Sequence, residues 1–192
     1  MPLTALILAA GAGTRLGQPK AGLLIGGVPL ALLHVRRACE AGCDRVVVVT
    51  RRADREWVGL EADTVVSEEP DQAGSLKIGV GLRLRLRDGV LVTPVDALPA
   101  SVATIRRLAQ ALGPGIDAVS PVMNGVGGHP VIVRARVLRE AYTDRAPPLR
   151  DVLHALGDRR LRIEVDDPNV ITNLDTSADV LAATGAPPAF RP

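Results

Sequence analysis

Short apolar runs alternate with segments of helical period along most of this chain, and that alternation limits its fold more than any other feature. Ala5 to Ala9, Arg45 to Val49, Thr64 to Val66, Val90 to Val95, Ala118 to Pro121 and Val131 to Val133 read as strands. Leu30 to Ala41, Asp54 to Leu60 and Val102 to Leu112 read as helices. A helical crossover returns the chain to the edge it left, so the next strand pairs in parallel, and the rhythm predicts a parallel α/β sheet. Ser101 is placed to cap the helix whose stripe is Val102, Ile105, Leu108, Ala109 and Leu112, and Gly113-Pro114 ends it. Only Trp57, Tyr142 and Phe190 are aromatic among 192 residues, so the core must be aliphatic, as strands covered on both faces require. A chain of this length buries about 70% of its unfolded surface and needs no staple. Residues 1–185 are expected to form one domain, with 186–192 as a Pro-rich tail that is frayed or packed on a neighbour.

Charge and cysteine usage exclude several classes of function. Twenty-three Lys and Arg against twenty-one Asp and Glu give a net charge of +2. The densest arginine groups are Arg83, Arg85 and Arg87, and then Arg159, Arg160 and Arg162; a solvated face accounts for both better than a nucleic-acid patch. Scarce aromatics also remove stacking platforms for single-stranded nucleic acid. Cys39 and Cys43 lie one helical turn apart with no second Cys or His pair at metal-site spacing, and read as reduced, structural thiols. The start Met1-Pro2-Leu3-Thr4 lacks a basic leader, and the apolar runs fall short of a membrane span, so a cytoplasmic location and no membrane partner are expected.

The first apolar run, Leu6-Ile7-Leu8-Ala9-Ala10, passes directly into Gly11-Ala12-Gly13-Thr14-Arg15-Leu16-Gly17-Gln18-Pro19-Lys20. Glycines let a backbone approach a ligand closely and aim its N–H groups at phosphate oxygens, and Arg15 and Lys20 add positive charge. The spacing fits neither a P-loop, which needs four residues between its glycines and then Gly-Lys-Ser/Thr, nor the GxGxxG dinucleotide fingerprint. A glycine-rich strand-to-helix turn with two solvated cations remains the plain alternative.

The run LAAGAGTRLGQPK resembles the signature loop of the molybdenum-cofactor nucleotidyltransferases, whose gap from arginine to Pro-Lys is shorter than that of the hexose-1-phosphate enzymes. Three later segments fit the same family in order and spacing: Val92-Thr93-Pro94-Val95-Asp96, Gly128-His129-Pro130-Val131 and Asn173-Leu174-Asp175-Thr176. The resemblance spans residues 3 to about 183. It implies a three-layer αβα fold with a mostly parallel, Rossmann-like sheet of the nucleotide-diphospho-sugar transferase kind. It also implies Mg²⁺-dependent transfer of a nucleotide from a nucleoside triphosphate to a phosphorylated acceptor, and contact with a molybdoenzyme or its maturation factor. Nucleotide binding then falls to Leu8, Ala9, Ala10, Gly11, Ala12, Gly13, Thr14, Arg15 and Lys20, with Ser75 and Leu76 touching the nucleoside. Arg15, Lys20 and Asp96 are the implied catalytic residues, Asp96 and Asp175 the metal ligands, and Gly128 and His129 the acceptor side. Ala9-Ala10-Gly11 resembles the cytidylyl branch, which makes CTP the expected donor over GTP and molybdopterin the acceptor. A sugar phosphate or methylerythritol phosphate acceptor, and a nucleotide-binding regulatory domain without catalysis, are the rival readings.

The residues themselves carry part of this. Asp96 emerges from a buried strand, at the carboxyl edge where ligands of open parallel sheets bind, and Mg²⁺ needs only one or two carboxylates; it could equally cap the turn into Pro99. Leu98 stands where the family usually has proline, and Ser177 where a second proline is common. Thr176 and Asp179 have the spacing of a capping box, which needs no chemistry, and Asn173 competes with Asp175 as the second ligand. A lone histidine beside glycines is most often structural. His129 is not needed as a base, because the attacking phosphate oxygen is already negative. Leu82-Arg83-Leu84-Arg85-Leu86-Arg87 alternates like a strand, whereas the resemblance implies a helix from about Ser75 that turns Leu76, Val80 and Leu86 inward and leaves Leu84 near the surface; Ser75 could also be an ordinary N-cap.

Overall fold

The computed structural model describes residues 2–57, 61–81 and 86–191, the side chains of Glu56 and Trp57 excepted. Among the described residues ten strands and six α-helices follow one another as β1 (Leu3–Leu8), β2 (Leu24–Ile25), β3 (Val28–Pro29), α1 (Leu30–Ala41), β4 (Arg45–Thr50), β5 (Asp63–Val66), α2 (Gln72–Gly81), β6 (Gly89–Pro94), α3 (Val102–Ala111), β7 (Ala118–Met123), β8 (Val126–Gly127), β9 (Val131–Arg134), α4 (Ala135–Ala141), α5 (Leu149–Ala155), β10 (Arg160–Glu164) and α6 (Ser177–Thr184). The main sheet runs in the order β10-β7-β9-β6-β1-β4-β5, with β8 paired to β7, while β2 and β3 form a separate hairpin. Strands β1, β4, β5 and β6 pair in parallel, as do β7 and β10, which agrees with a mostly parallel sheet.

The expectation of parallel pairing fails at two strands of the main sheet. β9 lies antiparallel between β6 and β7, and β8 is antiparallel to β7. No helix separates β7 from β9; Asn124, at φ 51°, and Gly125, at φ 80°, reverse the chain in a tight turn instead.

Successive strand residues point to opposite faces, and the core divides accordingly. From β1, Leu3, Ala5 and Ile7 join Leu30 and Val35 of α1 and Ile105 and Leu108 of α3 on one face. Leu6 and Leu8 join Leu76 and Val80 of α2, Leu138 of α4 and Leu153 of α5 on the other. Helices on both faces make the three layers.

Helix α3 is capped as its sequence indicates: Ser101 Oγ accepts from Thr104 N. Other boundaries differ. The segment from Asp54 is part of a short 3₁₀ helix, Arg52–Trp57, and residues 58–60 lie outside the described residues. α2 starts at Gln72, not Ser75; Asp71 Oδ1 accepts from Gly74 N at 2.7 Å, so Asp71 performs the capping and Ser75 lies within the helix. Leu76 and Val80 are buried on α2 as expected, and Leu86 is buried too but in irregular chain, not on a helix; the expectations for Arg83, Leu84 and Arg85 fall on residues 82–85, outside the described ones. The tail is packed on a neighbouring segment of the chain. Leu24 N donates to Ala189 O at 2.7 Å and Arg191 N to Gly22 O at 3.1 Å, while Leu23 and Phe190 form a β-bridge, so the tail clasps the segment after Lys20. No helix among the described residues is long and apolar enough to cross a membrane.

Candidate active site

The chain leaves β1 through Ala9 and Ala10 and folds back on itself at once. Ala9 is fully buried, its N–H donating to Val49 O at 2.7 Å, and Arg51 Nε donates to Ala10 O at 2.8 Å, so the loop starts from a fixed point beside β4. Gly13 sits at φ +63°, and a Cβ there would come within 1.8 Å of Gln18 O. The loop can therefore close onto Gln18 only with glycine, and the closure returns Lys20 to the sheet edge. Among the described residues the N–H groups of Gly11, Ala12 and Gly13 have no protein acceptor.

Four charged side chains from three distant parts of the sequence meet in front of this loop. Lys20, only 12% exposed, lies with Nζ 2.5 Å from Asp175 Oδ1 and 3.5 Å from Asp96 Oδ2, and Arg15 Nη1 is 3.6 Å from the same Asp175 oxygen. Asp96 follows β6, whose end is tied to β1 by Val95 N donating to Leu8 O at 3.0 Å. The segment before α6 is strapped across this turn: Leu174 N donates to Asp96 O at 2.7 Å and Leu98 N to Thr172 O at 2.9 Å. That strap, and the Thr176/Asp179 capping box at the start of α6, aim Asp175 into the site. Asn173 spends its backbone on a bridge to Ala97 and does not line the cleft.

The donor set suits a divalent cation. Two carboxylates, each more than a third exposed, converge on one point of positive charge, and a hard cation that also takes phosphate and water oxygens needs no more protein ligands. Sequence reasoning passed over His34, which reinforces the turn. Its Nε2 lies 2.8 Å from Ala97 O, and burial lowers its pKa to about 4, so the ring is neutral and donates its Nε2–H to that carbonyl.

The cleft, of about 280 Å³, is lined by Leu8, Ala10, Gly11, Thr14, Pro94 and Val95 besides Gly13 and the four charged residues. Ser75 also lines it, its Oγ 3.2 Å from Ser67 Oγ. Three of the expected residues are not part of its lining: Ala12 lies in the loop outside the wall, Ala9 faces the core, and Leu76, 1% exposed, borders a neighbouring cavity. Glu69, Pro70, Asp71 and Gln72 complete the wall; the Pro70-Asp71 pair ahead of a helical run was the signal that could have located them.

The second cavity, of about 530 Å³, adjoins the first through Asp71 and Gln72 and contains Gly128 and His129. They reach this edge because β9 runs antiparallel, so the residues preceding it lie where the parallel strands end. Gly128 packs so closely on α6's approach segment that a Cβ would fall 2.1 Å from Val170 O, and His129 N donates to that same oxygen at 2.8 Å. Burial lowers the His129 pKa, with nearby Asp96 opposing, and its Nδ1 is enclosed without a protein partner.

Comparison with known proteins agrees with this geometry. A family model described as the MobA-like NTP transferase domain matches residues 5–162. A molybdenum cofactor guanylyltransferase of Pseudomonas paraeruginosa is 32% identical over 187 residues, 91% of each chain. A molybdenum cofactor cytidylyltransferase of Escherichia coli is 24% identical over 185 residues, 93% of each. Among solved structures, Rv0371c of Mycobacterium tuberculosis superposes with a TM-score of 0.79 at 23% identity, covering 97% of this chain and 98% of that one. Its manganese complex superposes at 0.74, with 22% identity and 97% and 99% coverage.

Proposed function

Because the chain belongs to the MobA-like NTP transferase family and is a nucleotidyltransferase, we propose that it transfers CMP from CTP to the terminal phosphate of molybdopterin or its molybdenum-loaded form. A phosphate oxygen of the acceptor forms a bond to the α-phosphorus, the bond from that phosphorus to the bridging oxygen breaks, and pyrophosphate leaves with the electron pair. Both reactants are anionic, so positioning and charge neutralisation are what the protein must supply. The observation that carries the reading is the convergence of Lys20, Arg15, Asp96 and Asp175 on one cleft beside three unpartnered loop N–H groups.

In this reading the N–H groups of Gly11 to Gly13 hold the β- and γ-phosphates. Arg15, the most exposed of the four charged side chains, follows the departing pyrophosphate. Lys20 lies against the α-phosphate, released from Asp175 as phosphate oxygens take over that contact. Asp96 and Asp175 are the residues that would hold Mg²⁺, which when bound supplies positive charge on the phosphate oxygens. The manganese complex of the mycobacterial structural relative supports a divalent cation in this fold. Gly128 and His129 border the acceptor, His129 as a neutral orienting group. A cytoplasmic location is part of the same proposal.

GTP is the second reading. Ala9-Ala10-Gly11 favours CTP, whereas the relative at 32% identity is a guanylyltransferase and the one at 24% a cytidylyltransferase. A panel of CTP, GTP, ATP and UTP with Mg²⁺ and molybdenum cofactor, scored by pyrophosphate release, tests both. Turnover with CTP is expected. Turnover confined to GTP replaces the donor, and turnover with a sugar phosphate but none with the cofactor sinks the acceptor.

A further inference from the structure

The larger cavity holds a cation that the fold leaves without a counter-charge. Arg160 of β10 is half-buried in its wall, and its Nε donates to the neutral Ser120 Oγ at 2.9 Å. Among the described residues no carboxylate lies within ion-pair distance of Arg160, and its two Nη groups have no protein acceptor. The neighbouring Arg159 shows the contrast, since it is neutralised by Asp117 at 2.6 Å. Arg162 lies two residues further along the same strand, hence on the same face, and its Nη2 is 3.5 Å from where a Cβ on Gly127 would stand. Burial and this second cation both lower the Arg160 pKa, so the surroundings disfavour the charge that the side chain nevertheless carries. A half-sheltered guanidinium with idle donors loses hydration without recovering it in hydrogen bonds, unless a ligand provides them.

The remaining walls describe that ligand. Leu76, Val131, Leu149 and Leu153 give the cavity an apolar part, beside Asp71, Gln72, His129 and Arg150. Arg160 lines this cavity and not the cleft that holds Lys20 and Asp96. The phosphate that attacks must enter the cleft, so an anion on Arg160 is a different group. We propose that Arg160, flanked by Arg162, is an anion subsite that reads a second negatively charged group of the acceptor. The acceptor class follows: a phosphorylated molecule with an apolar or heterocyclic body to lie on the leucines and an anionic far end to meet Arg160. The inference rests on the reading that this cavity receives the acceptor.

The test uses the full chain and the variants Arg160→Gln and Arg160→Lys, with thermal unfolding to confirm that each is folded. In pyrophosphate-release assays Arg160→Gln should raise KM for molybdopterin about tenfold or more, the scale of a lost charge-assisted hydrogen bond. KM for CTP should move by less than about twofold, and Arg160→Lys should recover part of the acceptor effect. An unchanged acceptor KM in Arg160→Gln overturns the subsite. A second arm does not depend on the acceptor: inorganic sulfate is titrated by calorimetry onto enzyme saturated with CTP and Mg²⁺. Sulfate binding present in the wild type and lost in Arg160→Gln supports the subsite, and identical heats in the two proteins overturn it. Failure of the wild type to use molybdopterin, with the sulfate difference intact, would instead count against the acceptor proposed above.

Discussion

The two ends of the sheet carry opposite arrangements of the same charges. At the carboxyl edge, Asp96 and Asp175, 36% and 39% exposed, share one enclosed lysine. At the amino edge, Asp117, 2% exposed, is shared by two largely exposed arginines, Arg136 and Arg159. In the second cluster the carboxylate is sealed, with both of its oxygens occupied by guanidinium donors. In the first, Lys20 and the exposed Arg15 balance the two carboxylates, and both carboxylates stay open to water and to a cation. Access, not the count of charges, separates a site from a structural ion cluster, although both are built from the same residue types.

Four measurements would sharpen or break that comparison. Replacing both Arg136 and Arg159 by alanine strands a buried carboxylate, and should cost about 3–5 kcal/mol in denaturant unfolding with KM for the nucleotide unchanged. Lys20→Ala should slow pyrophosphate release by about a hundred- to a thousandfold, worth roughly 3–4 kcal/mol, while unfolding stays near wild type, since the two exposed carboxylates it leaves return to water. If Lys20→Ala unfolds the protein and the arginine pair does not, the assignment of roles to the two ends is reversed.

The third measurement concerns pH. His34 is held neutral, its pKa lowered from 6.5 to about 4 by burial. Between these values the unfolded chain binds a proton that the folded chain does not, so stability rises with pH through this window. The contribution is complete above about pH 6.5 and is lost on acidification toward pH 4, on the order of 3 kcal/mol in all. His34→Gln, which can still donate to Ala97 O, should flatten the dependence of the unfolding midpoint over that range; an unaltered slope would assign the acid sensitivity elsewhere. Fourth and smallest, Thr176→Ala removes one half of the capping box beside Asp175 and should cost about 1 kcal/mol. A rise in the Mg²⁺ concentration needed for half-maximal activity should accompany it, because the cap aims Asp175.

Much of the site could be read from the chain because its parts are local. Gly13 and Lys20 lie in one loop whose closure depends on a single glycine, and Asp96 follows an unmistakable buried strand. What could not be read is pairing across distance. Asp175 lines the cleft and Asn173 does not because Leu98 and Leu174 exchange backbone bonds with the opposite segment, and no local spacing records that exchange. His34 looked like one more residue of an amphipathic helix. Ser75 and Leu76 are adjacent in sequence yet border different cavities, a difference set by the helix phase from Asp71.

By itself the sequence determined the alternation of strands and helices, the aliphatic core and the closed glycine loop, since each depends on residues within one or two turns of chain. Tertiary structure decided which charges meet and which edge of the sheet Gly128 and His129 reach. The reversal of β9 is the clearest case: a tight turn in place of a helix delivers Gly128 and His129 to the edge where the parallel strands end. Strand direction is fixed by the connection and by the neighbours that accept its hydrogen bonds, and an apolar run of four residues carries no record of either.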